Sequence, residues 1–266
     1  MNIFMAYLVG FVGLNAAIGA TVLLCQHLSW GFGIAAGVLL GLVIAVLSFK
    51  YRRVVLFFCA VYAMAGAVLV SMDVRNYLTA RAGGVVEDLS VRQIAEYRQA
   101  GGFRFRDAVL RKDVRGQVLV GHADVQGYRK SNWYHVAAVV PADWKPEEPV
   151  TVWAACGELA SCLQDWDKPF GAGVRLNAET ESIPDYLKAV EQAVSVNSVT
   201  TAPNPVFITW VADPAAKIAG FKAAAWETAK IWNVVWFLTA VTGGLITYIR
   251  KRKAAGRPSE GEPPAA

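Results

Sequence analysis

The chain has 266 residues, of which 55% are apolar and 18% charged, and it carries a formal net charge of +5. That apolar content exceeds what an ordinary soluble domain needs, and it is gathered in blocks. The positive charge does not describe a nucleic-acid-binding face, because residues 73–225 hold 17 Lys/Arg against 18 Asp/Glu.

Three apolar runs, 3–26, 30–49 and 53–72, open the chain with almost no polar linker, and a fourth occupies 226–249. Runs of about 20 residues match the roughly 30 Å of a hydrocarbon layer, and a helix satisfies its backbone polar groups within the segment. The pattern predicts an α-helical membrane protein with four transmembrane helices and an inserted α+β exported domain over 73–225. The first helix is expected to stay uncleaved, since Met1 to Ala6 lack the basic residues of a signal peptide. The surplus charge sits at Lys50, Arg52 and Arg53, and again at Arg250, Lys251, Arg252, Lys253 and Arg257. By the positive-inside rule, these clusters and both termini are cytoplasmic, which puts 73–225 on the other side. That domain has no Asn-x-Ser/Thr sequon, which favours a bacterial inner membrane and a periplasmic location.

Within the runs, Gly33, Gly37 and Gly41 form a tandem G-x-x-x-G. Small residues at this spacing line one helix face and let a second backbone approach, within this bundle or in a homo-oligomer. Trp30, Tyr51, Trp232, Trp236 and Tyr248 are expected as anchors at the membrane edges. Asn15 and Asn233 are the notable polar residues, and the runs hold almost nothing ionisable away from their ends, which weighs against a transporter or channel.

After a linker through Gly83-Gly84, Ser90 and Gln93 form an S-x-x-Q capping box, with Leu89 and Ile94 as its hydrophobic staple. A helix is predicted from there to Gly101-Gly102. Strands are predicted at 103–106, 118–122, 133–140, 149–155, 173–176 and 205–211, and a helix from Pro184 to about Val196. Asp213-Pro214 reads as an N-cap and first helical residue, opening a helix that continues into the last apolar run. Five or six short, largely antiparallel strands with two helices are compatible with a small OB-like barrel. The tail, 250–266, is basic at its start and then too polar to bury a core.

Four cysteines are present. Cys25 and Cys59 fall in apolar runs as packing residues. Cys156 and Cys162 fall in the exported domain, where an oxidising compartment favours a disulfide. Near them Asp165 and Asp167, with Glu158 and flanked by Trp153 and Trp166, outline a shallow ligand groove. His122 and His135 fall on predicted strands, and Asp124 is a conceivable third metal ligand. The basic stretch Arg104, Arg106, Arg111, Lys112 and Arg115 reads as a solvated strand face. No nucleophile elbow, zinc-protease motif or phosphate loop occurs, so no catalytic, metal or cofactor site is assigned. The expected function is non-enzymatic: the exported domain binds or senses an envelope protein partner, and the helices hold it in the lipid bilayer. A membrane-surface enzyme using His122, His135, Asp165 and Asp167 is the alternative.

Overall fold

The computed structural model describes residues 3–27, 30–50, 54–123, 129–157, 161–177 and 182–255. Within them the chain forms two compact units, Met1–Val74 with Ala223–Ala266, and Arg75–Lys222.

The first unit is helical. Helix α1 spans Ile3–His27, α2 Trp30–Lys50 and α3 Val54–Ala82, and α6 runs unbroken over Pro214–Ala255. Two helical stretches, Phe57–Ala82 and Pro214–Ile246, are long and apolar enough to cross a membrane. This corrects the expectation of four transmembrane helices. Among the described residues the apolar stretches of α1 and α2 are Leu8–Leu24 and Phe32–Val46. Val12, Leu23, Phe32, Leu39, Val46, Phe237 and Leu245 face outward on this unit.

Small residues set its interior. A Cβ on Gly37 would stand 2.5 Å from Ala67 Cβ and 2.6 Å from Thr21 Oγ1, and one on Gly41 would collide with Met64. Gly33 is buried on the same helix. Asn15 Nδ2 donates to Asn233 Oδ1 at 2.9 Å, joining α1 to α6. Such a pair satisfies two amides that an apolar surround would otherwise leave exposed to loss. Trp236 is buried rather than at an edge, with Nε1 donating to Cys59 Sγ at 3.0 Å. The side chains of Cys25, Trp30 and Tyr51, and residues 256–266 of the tail, lie outside the described residues.

The second unit is built on a seven-stranded mixed sheet in the order β1-β2-β6-β7-β5-β4-β3. The strands are β1 Val85–Leu89, β2 Gly102–Phe105, β3 Ala108–Ala123, β4 Arg129–Pro141, β5 Val150–Cys156, β6 Ala172–Arg175 and β7 Thr201–Trp210. It has two edges, β1 and β3, and two parallel pairings, β1 with β2 and β5 with β7. An open mixed sheet replaces the OB-like barrel expected from the strand count, and the unit is α/β in character.

Both sheet faces are covered. Helix α5, Ile183–Asn197, packs on one face with Tyr186, Ala189, Val190 and Ala193, against Tyr134, Val136, Ala138, Trp153 and Phe207. The opposite face carries Ala137, Val139, Val152, Ala154 and Ile208 under the 3-10 helix Val91–Glu96, with Trp166 beside the short helix α4, Ser161–Asp165. Strand β5 is buried on both faces, hence its nearly continuous apolar sequence. Its pairing with β7 shifts register between Val150 and Val152, which puts these two residues in different clusters despite their even spacing.

The segment after Ser90 is a six-residue 3-10 helix, not an α-helix running to Gly101. Gln93 Oε1 accepts from Ser90 N at 3.4 Å. Ser90 Oγ, however, donates to Asp107 Oδ2 at 2.6 Å, and Val91 N donates to Asp107 Oδ1 at 3.0 Å. A carboxylate from further along the chain thus adds to the Ser90–Gln93 capping box. Asp213 caps α6 as expected, its Oδ1 accepting from Ala215 N at 3.0 Å.

Candidate functional site

The disulfide between Cys156 and Cys162 joins the end of β5 to α4, with Cα atoms 5.7 Å apart. The groove expected around it does not form. Trp153 is 0% exposed in the cluster under α5, its Nε1 donating to Thr201 Oγ1 at 3.0 Å. Trp166 is buried in the cluster of the opposite face. The sheet lies between the two rings, because β5 points Trp153 to one side while α4 is fastened on the other. Asp165 is paired with Lys168 Nζ at 2.8 Å, and Asp167 with Lys112 on β3.

The histidines are also apart. His135 stands opposite Gln117 in the β3–β4 ladder, and His122 opposite Lys130. Five strand positions separate Gln117 from His122, roughly 17 Å at the usual rise. The side chain of His122, with Asp124 and Glu158, lies outside the described residues. Among the described residues no group of three His, Cys, Asp or Glu is placed to hold a metal. The basic stretch is largely compensated within the unit. Arg104 pairs with Glu87 and Asp213, Arg106 with Asp88, Arg111 with Asp113 and Lys112 with Asp167. Among the described residues Arg115 has no such ion pair.

A different surface stands out. Strands β3 and β4 pair from Ala108 with Pro141 to Ala123 with Arg129, whereas β5 accompanies β4 only from His135 to Val139. Beyond His135 the hairpin has no third strand among the described residues. One of its faces is closed by α5, where Val118, Val120 and Tyr134 pack and Gln192 Oε1 accepts from Gln117 N at 2.5 Å. On the other face Leu119 and Trp133 stand directly opposite each other, 49% and 46% exposed. The Trp133 ring stacks on His135 with centroids 6.0 Å apart and planes at 22°. Strand alternation puts Arg115 and Gln117 on this face too.

The electrostatics of the strip are cationic. Partial burial, and after it the charge of Arg115, hold His135 below the usual imidazole range. At neutral pH this strip therefore offers a neutral imidazole on an indole, one guanidinium and an apolar cross-strand pair. Directly opposed aromatic and aliphatic residues stabilise a hairpin, but an isolated two-stranded ribbon gains more when its apolar face is covered.

Sequence reasoning places these residues on strands and misses their exposure. The signal is present: Val118-Leu119-Val120 and Trp133-Tyr134 break the apolar/polar alternation, so one member of each run must face away from the α5 side. Comparison with protein-family models, curated proteins and solved structures finds no match to this chain.

Proposed function

We propose that this chain is a membrane-anchored, non-enzymatic binding protein whose sheet unit engages a protein partner through the β3–β4 hairpin. The observation that carries this reading is the opposed Leu119 and Trp133, half exposed on a ribbon that extends past the rest of the sheet. Exposed aromatic residues with a nearby arginine have the composition of an interface centre. Arg115, without a carboxylate of its own among the described residues, favours a partner that sets an acidic residue beside an apolar one.

The cellular setting follows from several observations together. Two helical stretches are long and apolar enough to cross a membrane, and the helical unit turns apolar side chains outward. The basic residues around 50–53 and after 249 then mark the cytoplasmic side, with both termini on it. The sheet unit lies across the membrane, where its disulfide persists. A bacterial inner membrane with a periplasmic sheet unit fits the missing sequons.

Photo-crosslinking in intact cells tests the partner reading. A photoreactive side chain at position 119 should yield one discrete adduct, and at position 196 on the exposed side of α5 none. Trp133→Ser should abolish the adduct at 119, and Arg115→Glu should weaken it. Equal adducts at 119 and 196 contradict the proposal, and an adduct of twice the chain's mass reassigns the strip to self-association.

A further inference from the structure

The sheet unit also holds a cavity of about 380 Å³ lying wholly within Arg75–Lys222. Its walls include Asn76 and Thr79 near the end of α3, Arg98, Arg175, Asn177 and Phe221. The backbone around it is pinned by close approach: a Cβ on Gly101 would collide with the Ala80 carbonyl. The size falls within the range of about 300–1,000 Å³ usual for small-molecule sites.

Two arginines, Arg98 and Arg175, line this cavity. Arg175 Nε donates to the Ala100 carbonyl at 2.9 Å and Nη2 to the Tyr97 carbonyl at 3.0 Å, and its Cζ lies 5.3 Å from the Phe103 ring centroid. These contacts fix the plane of the group but neutralise no charge. Burial, and then the positive charge of Arg98, push Arg175 below the ordinary arginine value. Among the described residues neither arginine forms an ion pair with a carboxylate. Among the described residues Nη1 of Arg175 and the donors of Arg98 have no hydrogen-bond partner, and a pair of guanidinium forks matches the oxygens of a phosphate.

We infer that this cavity binds a phosphate ester carrying a small hydroxylated group, held at its phosphate by Arg98 and Arg175. Two converging cations match a dianion better than a monoanion. The cavity has room well beyond one phosphate, and Thr79 supplies a hydroxyl suited to alcohols beside Asn76 and Asn177, whose amides bond to each other, Asn177 Nδ2 donating to Asn76 Oδ1 at 3.4 Å. Phe221 adds an apolar wall. A free phosphorylated metabolite and an anionic lipid headgroup share this chemistry. The inference rests on the cavity alone and stands or falls apart from the hairpin strip.

The test uses the full chain in phosphatidylcholine nanodiscs, titrated calorimetrically with glycerol phosphate and, separately, with succinate. Glycerol phosphate should bind, succinate should bind more weakly, and Arg98→Glu should weaken glycerol phosphate about tenfold or more, as loss of a charge-assisted contact does. Arg98→Lys should restore part of the affinity. Because Arg98 is exposed, its replacement leaves the fold intact, which circular dichroism checks. If the source is a lipid, free glycerol phosphate is silent, and phosphatidylglycerol nanodiscs raise the Tm of the wild type but not of Arg98→Glu. If wild type and Arg98→Glu respond alike to both probes, or succinate binds as tightly, the assignment is overturned. Occupation of the arginines by a carboxylate of the same chain would produce that first result.

Discussion

Trp153 shows how one side chain ties two elements together. It is fully buried on β5, and its indole N–H is satisfied through Thr201 on β7, whose hydroxyl in turn lies 3.2 Å from the Val150 carbonyl. Thr201→Val keeps the shape but leaves the indole donor without its partner. It should cost about 1–3 kcal/mol in thermal unfolding, while Thr201→Ser should cost far less. Equal losses would mean that methyl packing, not the hydrogen bond, matters at this position. His135 gives a pH-dependent counterpart. Its folded pKa lies below its ordinary 6.5, so the unfolded chain binds the proton more readily. Stability is unaffected by this residue above 6.5 and falls as pH drops from 6.5 through the lowered folded value. Imidazole NMR should show a midpoint below 6.5, and His135→Gln should flatten the stability profile in that window. Residue-scale reading of the sequence succeeded where partners are neighbours, as with Ser90 and Gln93 or Asp213 and Ala215. It missed Asp107, because the carboxylate reaches back from beyond β2 and no local spacing announces it.

At the scale of elements, the disulfide links a buried core strand to a five-residue helix too short to persist alone. Replacing Cys156 and Cys162 with serine removes a short covalent loop, a loss of about 2 kcal/mol. The expected outcome is a lower Tm in the double variant, matched by the wild type under reductant. An unchanged Tm would show that α4 is held by Trp166 and its neighbours alone. Most strands were legible because their apolar residues cluster between turn residues. The beginning of β3 was not, since Arg111, Lys112 and Asp113 carry charge through an irregular stretch where the register slips between Arg111 and Arg115. Strand β1 has no counterpart among the predicted strands, because Glu87 and Asp88 interrupt it, and Asp88 adopts a positive φ of 55°. The barrel expectation failed for a related reason. Parallel partners such as β5 and β7 are distant in sequence, and local patterning carries no information about which edge a strand joins.

For the whole molecule, apolar length separates helices that the sequence alone made look equivalent. Among the described residues α1 and α2 carry apolar stretches of Leu8–Leu24 and Phe32–Val46, whereas α3 and α6 carry Phe57–Ala82 and Pro214–Ile246. The expected ligand groove dissolved at this scale too, since residues close in sequence, Trp153 and Trp166, ended on opposite faces of a sheet that neither residue reveals by itself. The hairpin strip and the arginine cavity emerge only once distant segments are placed together. The proposed topology puts the sheet unit across a membrane from the two basic clusters. The most direct measurement is labelling with a membrane-impermeant thiol reagent in spheroplasts, using single reporters Val196→Cys, 69% exposed on α5, and Arg252→Cys beyond the apolar part of α6. With Cys25 and Cys59 replaced by alanine, Val196→Cys should label in intact spheroplasts and Arg252→Cys only after lysis. Labelling of both reporters only after lysis, or of both before it, would contradict the account.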